Sequence, residues 1–369
     1  MMARAVGPHH ETAPEEFAMP DIRAFLEGAD IVLANLESPV ATGGIPDALQ
    51  DPHVTFRAAP GTLDVLKNIG VNVVSLANNH ILDYGEEGLV ETLEHLDARG
   101  INRVGAGRTY REANAPLLMQ HGQRRVAILA FGFVYSVNTR RATRSRPGIA
   151  DHRMERILPR LRRLAASGYL VIVTVHWGFE YRFFPLPFQM RQARRMVDEG
   201  AHLVLGHGPH YPQGIEAYRG RDIVHSLGNF IFDEPYKFSK RSFIYDAEID
   251  QSGSAQNRRV VPLHLPHHVP HIVGGVEGRR LEGLIANLSV RYRQADPRFW
   301  RDLSASYLNE ICGRVLRGRS LKYLRVPPRS FYRDVGPIGV LRMLLRATLR
   351  RMSHNPARGL RPDKGSARP

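Results

Sequence analysis

The chain has 369 residues, 43% hydrophobic and 24% charged, with 33 Gly and 25 Pro. That is the composition of one large folded domain or two modest ones, and it excludes a disordered or collagen-like protein. A single cysteine, Cys312, rules out an internal disulfide and a thiolate metal cage, so the fold rests on its apolar core and a reducing compartment is expected.

Residues from about 20 to 280 alternate helix-like and strand-like segments, the grammar of an α/β layered domain. A helix is predicted over Asp21 to Glu27, broken by Gly28, then an apolar strand over Ile31 to Ala34. The pattern repeats as a helix from Gly61 to Asn68, a stop at Gly70, and a β-branched strand over Val71 to Ala77. The next helix, Glu86 to Arg99, carries Leu89, Val90, Leu93 and Leu96 on one face and closes at Gly100. Further interior strands are read at Val126 to Phe131, Leu170 to Val175 and Leu203 to Leu205, with helices near Arg153 to Ala166 and Gln189 to Glu199. From Ile215 to Leu265 the pattern turns to short strands without a convincing helix, which implies a second sheet.

The net charge of +15 is uneven. From Leu281 onward 19 Lys and Arg face 6 Asp and Glu, a net of +13, and the first 280 residues carry only +2. An electrostatic partner is thus expected for the tail and a different task for the body. Past Leu281 the chain reads as Arg-rich helices at about 298 to 318 and 337 to 352, joined by Pro327-Pro328. In the second of these, Ile338, Leu341, Leu345, Leu349 and Met352 keep helical spacing beside a stripe of Arg342, Arg346 and Arg350. Residues 338–352 can therefore lie on an anionic membrane face or dock on the body with the arginines in water. Nucleic acid is not the expected partner, because the tail lacks aromatic interleaving and zinc-finger spacing. The boundaries expected are a body at 1–280, a basic helical extension at 281–353 and a disordered tail at 354–369.

Four polar motifs follow four of the predicted strand ends, where open α/β sheets place their ligands. They are Asn35-Leu36-Glu37, Asn78-Asn79-His80, His176-Trp177-Gly178 and Gly206-His207-Gly208-Pro209-His210. Neutral imidazoles, carboxylates and an amide oxygen are what a first-row divalent cation accepts. One such histidine is ordinarily a satisfied structural residue; four strand ends together are better explained by a shared centre. A paired-metal site of this kind activates water and clamps a phosphoryl group. The Pro262 to His271 segment, with His264, His267, His268 and His271 among three prolines, reads more simply as a solvated rigid loop.

These motifs, together with A-N-N-H-x-x-D-Y-G at Ala77 to Gly85, H-W-G-x-E-Y at His176 to Tyr181 and S-L-G-N-F at Ser226 to Phe230, resemble the CapA-type poly-γ-glutamate capsule synthesis proteins. Order and spacing match over about residues 1 to 270. That family resembles the calcineurin-like metallophosphoesterases, which implies a four-layer α/β sandwich of two mixed sheets flanked by helices, here with a basic α-helical C-terminal extension. The resemblance implies two divalent metal ions (Mn, Fe or Zn), with Glu37 as bridging carboxylate, Asn79, His176 and His207 at one metal and His210 at the other. It implies that His80 donates a proton or stabilises an oxyanion, with Asp83 either orienting its ring or capping the helix near Gly85.

Asn35, Glu180, Asn229 and Arg140, the last in a basic loop with Arg141, Arg144 and Arg146, are candidate contacts for an anionic small-molecule or polymer substrate; hydrogen-bonded loop structure and a solvated loop are the plain alternatives. The relatives open with a strand ending in a metal-binding Gly-Asp, and this chain begins where that aspartate has just passed. The expectation is an upstream strand absent through a late start, or else the loss of one metal position, leaving a single ion; His9, His10 and Glu11 have no spacing that argues for replacement. The functional expectation is a metal-dependent hydrolase acting on an anionic substrate in capsule or γ-glutamyl polymer production, with a non-catalytic binding or scaffold subunit as the rival. With no h-region after Met1 and no apolar run near the ~20 residues that cross a bilayer, the expected place is the cytoplasm or the inner membrane face, with export left open.

Overall fold

Side chains at successive positions of a buried strand face opposite layers, and here that alternation builds the architecture. The computed structural model describes residues 3–46, 52–133, 140–233, 236–250, 252–294, 298–300, 302–303 and 306. The chain opens with α1 (Val6–Thr12), a 3-10 turn at Pro14–Ala18 and α2 (Pro20–Leu26), followed by β1 (Leu33–Asn35), α3 (Thr62–Asn68), β2 (Val73–Ser75), α4 (Gly85–Arg99) and β3 (Asn102–Val104). Then come β4 (Ala106–Gly107), α5 (Tyr110–Ala113), β5 (Leu117–His121), β6 (Arg124–Phe133), β7 (Gly148–Ile149), α6 (Met154–Ala166), β8 (Leu170–Trp177), α7 (Pro187–Asp198) and β9 (Leu203–His207). The last elements are β10 (Ile215–Tyr218), β11 (Arg221–Val224), β12 (Arg241–Ile249), β13 (Ala255–His264), β14 (His271–Ile272) and α8 (Gly275–Gln294).

Strands β1, β2 and β3 form a parallel sheet in that order, and a mixed six-stranded sheet runs β10-β11-β9-β8-β6-β5. Val74 of β2 packs with Leu63 and Leu66 of α3 and Leu89 and Leu93 of α4. Its neighbour Val73 faces the other way, against Ile128, Ala130, Ile172 and Leu203 of the larger sheet. In that sheet Leu129, Phe131, Val171 and Val173 turn outward onto Ile157 and Leu161 of α6 and Ala193 and Met196 of α7. The result is helices, sheet, sheet, helices: a four-layer α/β sandwich. Fully burying each such side chain contributes roughly 1.5–3 kcal/mol.

Strands β12, β13 and β14 make a third, antiparallel sheet, so the strand-rich segment expected from Ile215 divides between two sheets. Strand β1 is shorter than its apolar run because the Val32 N–H is taken by the Asn72 side chain, 2.9 Å away. Helix α8 was not expected from the pattern. It docks through Leu281 and Ile285 against Val224 and Phe243, while the Tyr292 hydroxyl accepts the Gly214 N–H at 2.9 Å and the Ser289 hydroxyl the Ile215 N–H at 2.8 Å. Residue 281, where composition changes, falls inside this helix. The chain divides into two compact units, 1–295 and 296–369. The described residues of the second, 298–300, 302–303 and 306, are helical; the rest of the helix expected at 298–318, the helix at 337–352 and the tail at 354–369 lie outside the described residues. Among the described residues no helix is long and apolar enough to cross a membrane.

A surface clasp holds the loop after β1 to α4. Glu91 accepts the Thr42 N–H and hydroxyl, each at 2.7 Å, and the Gly43 N–H at 3.1 Å. Burial pushes this carboxyl's pKa up, but those hydrogen bonds and one from His95 outweigh it and hold the pKa at about 2. A depressed carboxylate stabilises the fold above its unfolded pKa near 4.5 and loses that contribution as pH falls toward 2. Glu91→Gln should therefore lower the melting temperature at pH 7, with the gap to wild type closing between pH 4.5 and 2; a gap constant over that range would contradict the assignment.

Candidate metal centre

The parallel strands deliver their C-terminal ends to one region. Asn35 ends β1, the loop after β2 carries Asn78, Asn79 and His80, His176 is the next-to-last residue of β8, and His207 ends β9, directly opposite His176 in the ladder. Asn78 organises the first two loops. Its side-chain oxygen accepts the N–H groups of His80 and Ile81, each at 3.0 Å, an Asx turn. Its amide donates to the Leu36 carbonyl at 2.8 Å, stitching the loop after β2 to the loop after β1. Asn35 then donates to Glu37 Oε2 at 3.0 Å, which fixes the carboxylate and leaves Oε1 to face the imidazoles.

Glu37 Oε1 stands 3.6 Å from His176 Nε2 and 3.7 Å from His210 Nε2. These separations are too long for hydrogen bonds but near those of two donors each ~2.0–2.2 Å from one metal. Glu37 Oε1, Asn79 Oδ1, His176 Nδ1 and His207 Nε2 are buried without a hydrogen-bond partner, and buried polar atoms ordinarily have one. Among the described residues no group of three or more His, Cys, Asp or Glu side chains is gathered closely enough to hold a metal ion by itself; the arrangement is a carboxylate between two imidazoles, with an amide oxygen and a further imidazole nitrogen unpaired.

The electrostatics agree with a cation. Burial, reinforced by the neighbouring His176, drives the His207 pKa down to about 3, and burial brings His176 to about 4, against the pull of Glu37. Both rings are thus neutral at pH 7 with lone pairs available. Burial alone would raise the Glu37 pKa; His176, His210 and His80 reverse that and hold it below the ordinary value. A buried carboxylate, an amide oxygen and neutral imidazoles are the donor types that a divalent transition metal accepts.

His80 and Asp83 form a separate unit. Asp83, fully buried, accepts from the Phe56 N–H and lies against His80 Nδ1, both at 2.8 Å. The Phe56 ring covers the imidazole at 4.2 Å. The cap of α4 is Tyr84, with no side-chain capping bond, so Asp83 orients His80 rather than capping the helix. Asn229 holds His210, its Oδ1 2.9 Å from Nδ1, and donates to the Ser239 carbonyl at 3.1 Å. Glu180 is half-buried and within electrostatic reach of His176. Arg140 is exposed, its carbonyl accepting the Ile149 N–H at 3.0 Å. His9 pairs with Glu16 at 3.2 Å, and the rings of His9 and His10 pack on Phe17. Of the histidine run, His264 and His271 sit opposite each other in the β13/β14 ladder.

Close packing at the strand ends demands glycine twice. A Cβ on Gly206 would lie 2.0 Å from the His225 carbonyl oxygen and 2.8 Å from Trp177 Nε1; one on Gly208, at φ +112°, would lie 2.6 Å from the Trp177 carbonyl and 3.0 Å from His176 Nε2. Gly206→Ala should cost on the order of 3 kcal/mol or more, because backbone rather than a flexible side chain must yield; denaturant melts read this, and a loss below about 1 kcal/mol would contradict it. A cavity of about 970 Å³ reaches this region, lined by Glu37, His207, His210 and Asn229 together with apolar Leu33, Leu205, Phe243 and Tyr245.

Comparison with known proteins gives the family. The model of the bacterial capsule synthesis protein PGA_cap matches residues 1–234. The capsule biosynthesis protein CapA of Bacillus anthracis is 30% identical over 275 residues, 73% of this chain and 66% of that protein. The PGA biosynthesis protein CapA of Bacillus subtilis is 29% identical over 271 residues, 73% of this chain and 70% of that protein. The chain thus spans about two thirds of the length of these relatives. Among solved structures, a putative 5′-nucleotidase from Staphylococcus aureus aligns with a TM-score of 0.43 at 13% identity, covering 74% of this chain and 52% of that one. On the extent of the family match, the chain belongs to the bacterial capsule synthesis proteins of the PGA_cap type.

Proposed function

We propose that this chain is a divalent-metal-dependent hydrolase of the phosphoesterase type, acting on an anionic substrate during capsule or poly-γ-glutamate synthesis. The observation that carries the reading is the unpartnered Glu37 Oε1 between His176 and His210. Glu37, Asn79, His176, His207 and His210 would hold the metal, one ion or two, which when bound supplies Lewis-acid polarisation of a substrate oxygen and activation of water. The rest is done by the chain's own groups. Asn35 keeps Oε2 of Glu37 occupied, so the carboxylate presents one fixed oxygen. Asp83 pins Nδ1 of His80, leaving Nε2 as the nitrogen that meets a leaving or developing oxygen. Asn229 sets the ring plane of His210, and the burial of the donors excludes bulk water, which strengthens every charge interaction inside.

The test is turnover by the metal-stripped chain of p-nitrophenyl phosphate and its diester, with and without added Mn²⁺, Zn²⁺ or Fe²⁺. Release that depends on added metal supports the hydrolase. Metal binding without turnover of either ester or of a γ-glutamyl amide would overturn it in favour of a binding or scaffold subunit.

A further inference from the structure

An aromatic wall rises from the candidate centre to the surface. The Tyr181 ring stacks on the His210 imidazole at 5.8 Å and 29°, and meets Tyr236 at 4.5 Å and Tyr211 at 5.7 Å. Phe183 continues it, 5.0 Å from both Tyr211 and Phe238. Aromatic rings of this size are ordinarily covered, yet Tyr236 is 50% and Phe238 37% exposed. The backbone is committed to this arrangement. Tyr181 and His210 both hold left-handed conformations, φ +61° and +59°, unusual for non-glycine residues and concentrated where function demands them. The Tyr181 N–H donates to the Pro209 carbonyl at 2.7 Å, which locks the two segments together. Lys237 and Lys240 lie on the same 3-10 turn as Phe238, and the Arg241 guanidinium sits 5.9 Å over the Phe238 ring.

We propose that Tyr236 and Phe238 form a stacking platform for a nucleobase, so that the substrate class is a nucleoside phosphate with its phosphate at the metal centre and its base on the wall. Partly exposed aromatic rings bordered by cations suit a ligand that is planar at one end and anionic at the other, and the wall is continuous, through Tyr181, with His210, one of the imidazoles that would hold the metal. This deepens the hydrolase reading and rests on it for the phosphate end only.

Titration calorimetry with the Mn²⁺-loaded full chain separates the two. AMP should bind about tenfold more tightly than ribose 5-phosphate, the scale of one base stack, and this preference should fall to near unity in a Tyr236→Ala/Phe238→Ala double variant. Adenosine alone should bind wild type and not the double variant. Equal binding of AMP and ribose 5-phosphate by wild type, or a preference the double variant keeps, overturns the platform while leaving the hydrolase reading intact. Adenosine binding that depends on the two rings, without any phosphate binding, upholds the platform and removes the hydrolase reading.

Discussion

Glu37→Gln should reduce metal-dependent phosphoester turnover by about 10²–10³-fold, the scale of removing one group that stabilises transition-state charge, while the chain stays folded. The substitution is isosteric. The Gln oxygen can keep the bond from Asn35, which now reaches Oε2 at 3.0 Å, so its NH2 group must take the place of Oε1 and present a donor to the region between His176 and His210. A cation is repelled there and one negative charge is gone. The fold should survive, since shape and the Asn35 bond are kept, but the melting temperature should fall somewhat, because the interactions with His176, His210 and His80 that hold the Glu37 pKa below its ordinary value are lost. Turnover and thermal melting read the two halves; activity within tenfold of wild type would remove Glu37 from the centre.

His80→Ala should lower kcat by about 10²–10⁴, the range of a lost general acid–base group, with metal content unchanged. Asp83→Asn should lie between, at roughly 10–100-fold, the scale of losing an orienting partner. One oxygen of Asp83, Oδ2, accepts the Phe56 N–H and lies against His80 Nδ1. An asparagine oxygen in the same place can keep both contacts but carries no charge, so the loss expected is that of the anion that holds the proton of His80 on Nδ1. If His80→Ala instead strips the metal, the ring is a ligand and the proton-donor role is wrong.

Much of this arrangement was legible in the chain itself. The β-branched and apolar runs at residues 71–77, 126–131 and 170–175 mark strands because such side chains pack on both faces of a buried sheet, and the polar motifs after the first and third of these runs mark where the backbone leaves the core. The pairings were not legible. Nothing in the spacing says that Phe56 would cover His80, or that the Trp177 indole would donate to the His225 carbonyl at 3.0 Å; both depend on loops meeting in space. Asn78 lay inside a quoted motif, but its role as a brace between loops needs the Leu36 carbonyl to be seen beside it. Helix α8 had a readable signal, the 4-3-4 spacing of buried Leu281, Ile285, Leu288 and Tyr292, masked by Gly278, Gly283 and a change of charge in the same stretch.

If Glu37 and the imidazoles from separate strands gather one ion, the ion itself can be located. Anomalous scattering from crystals of the chain soaked in Mn²⁺ tests this most directly. A peak is expected within about 2.0–2.3 Å of Glu37 Oε1 and of His176, His210 or both. A peak among His264, His267, His268 and His271, or none near Glu37 at saturating metal, would contradict it.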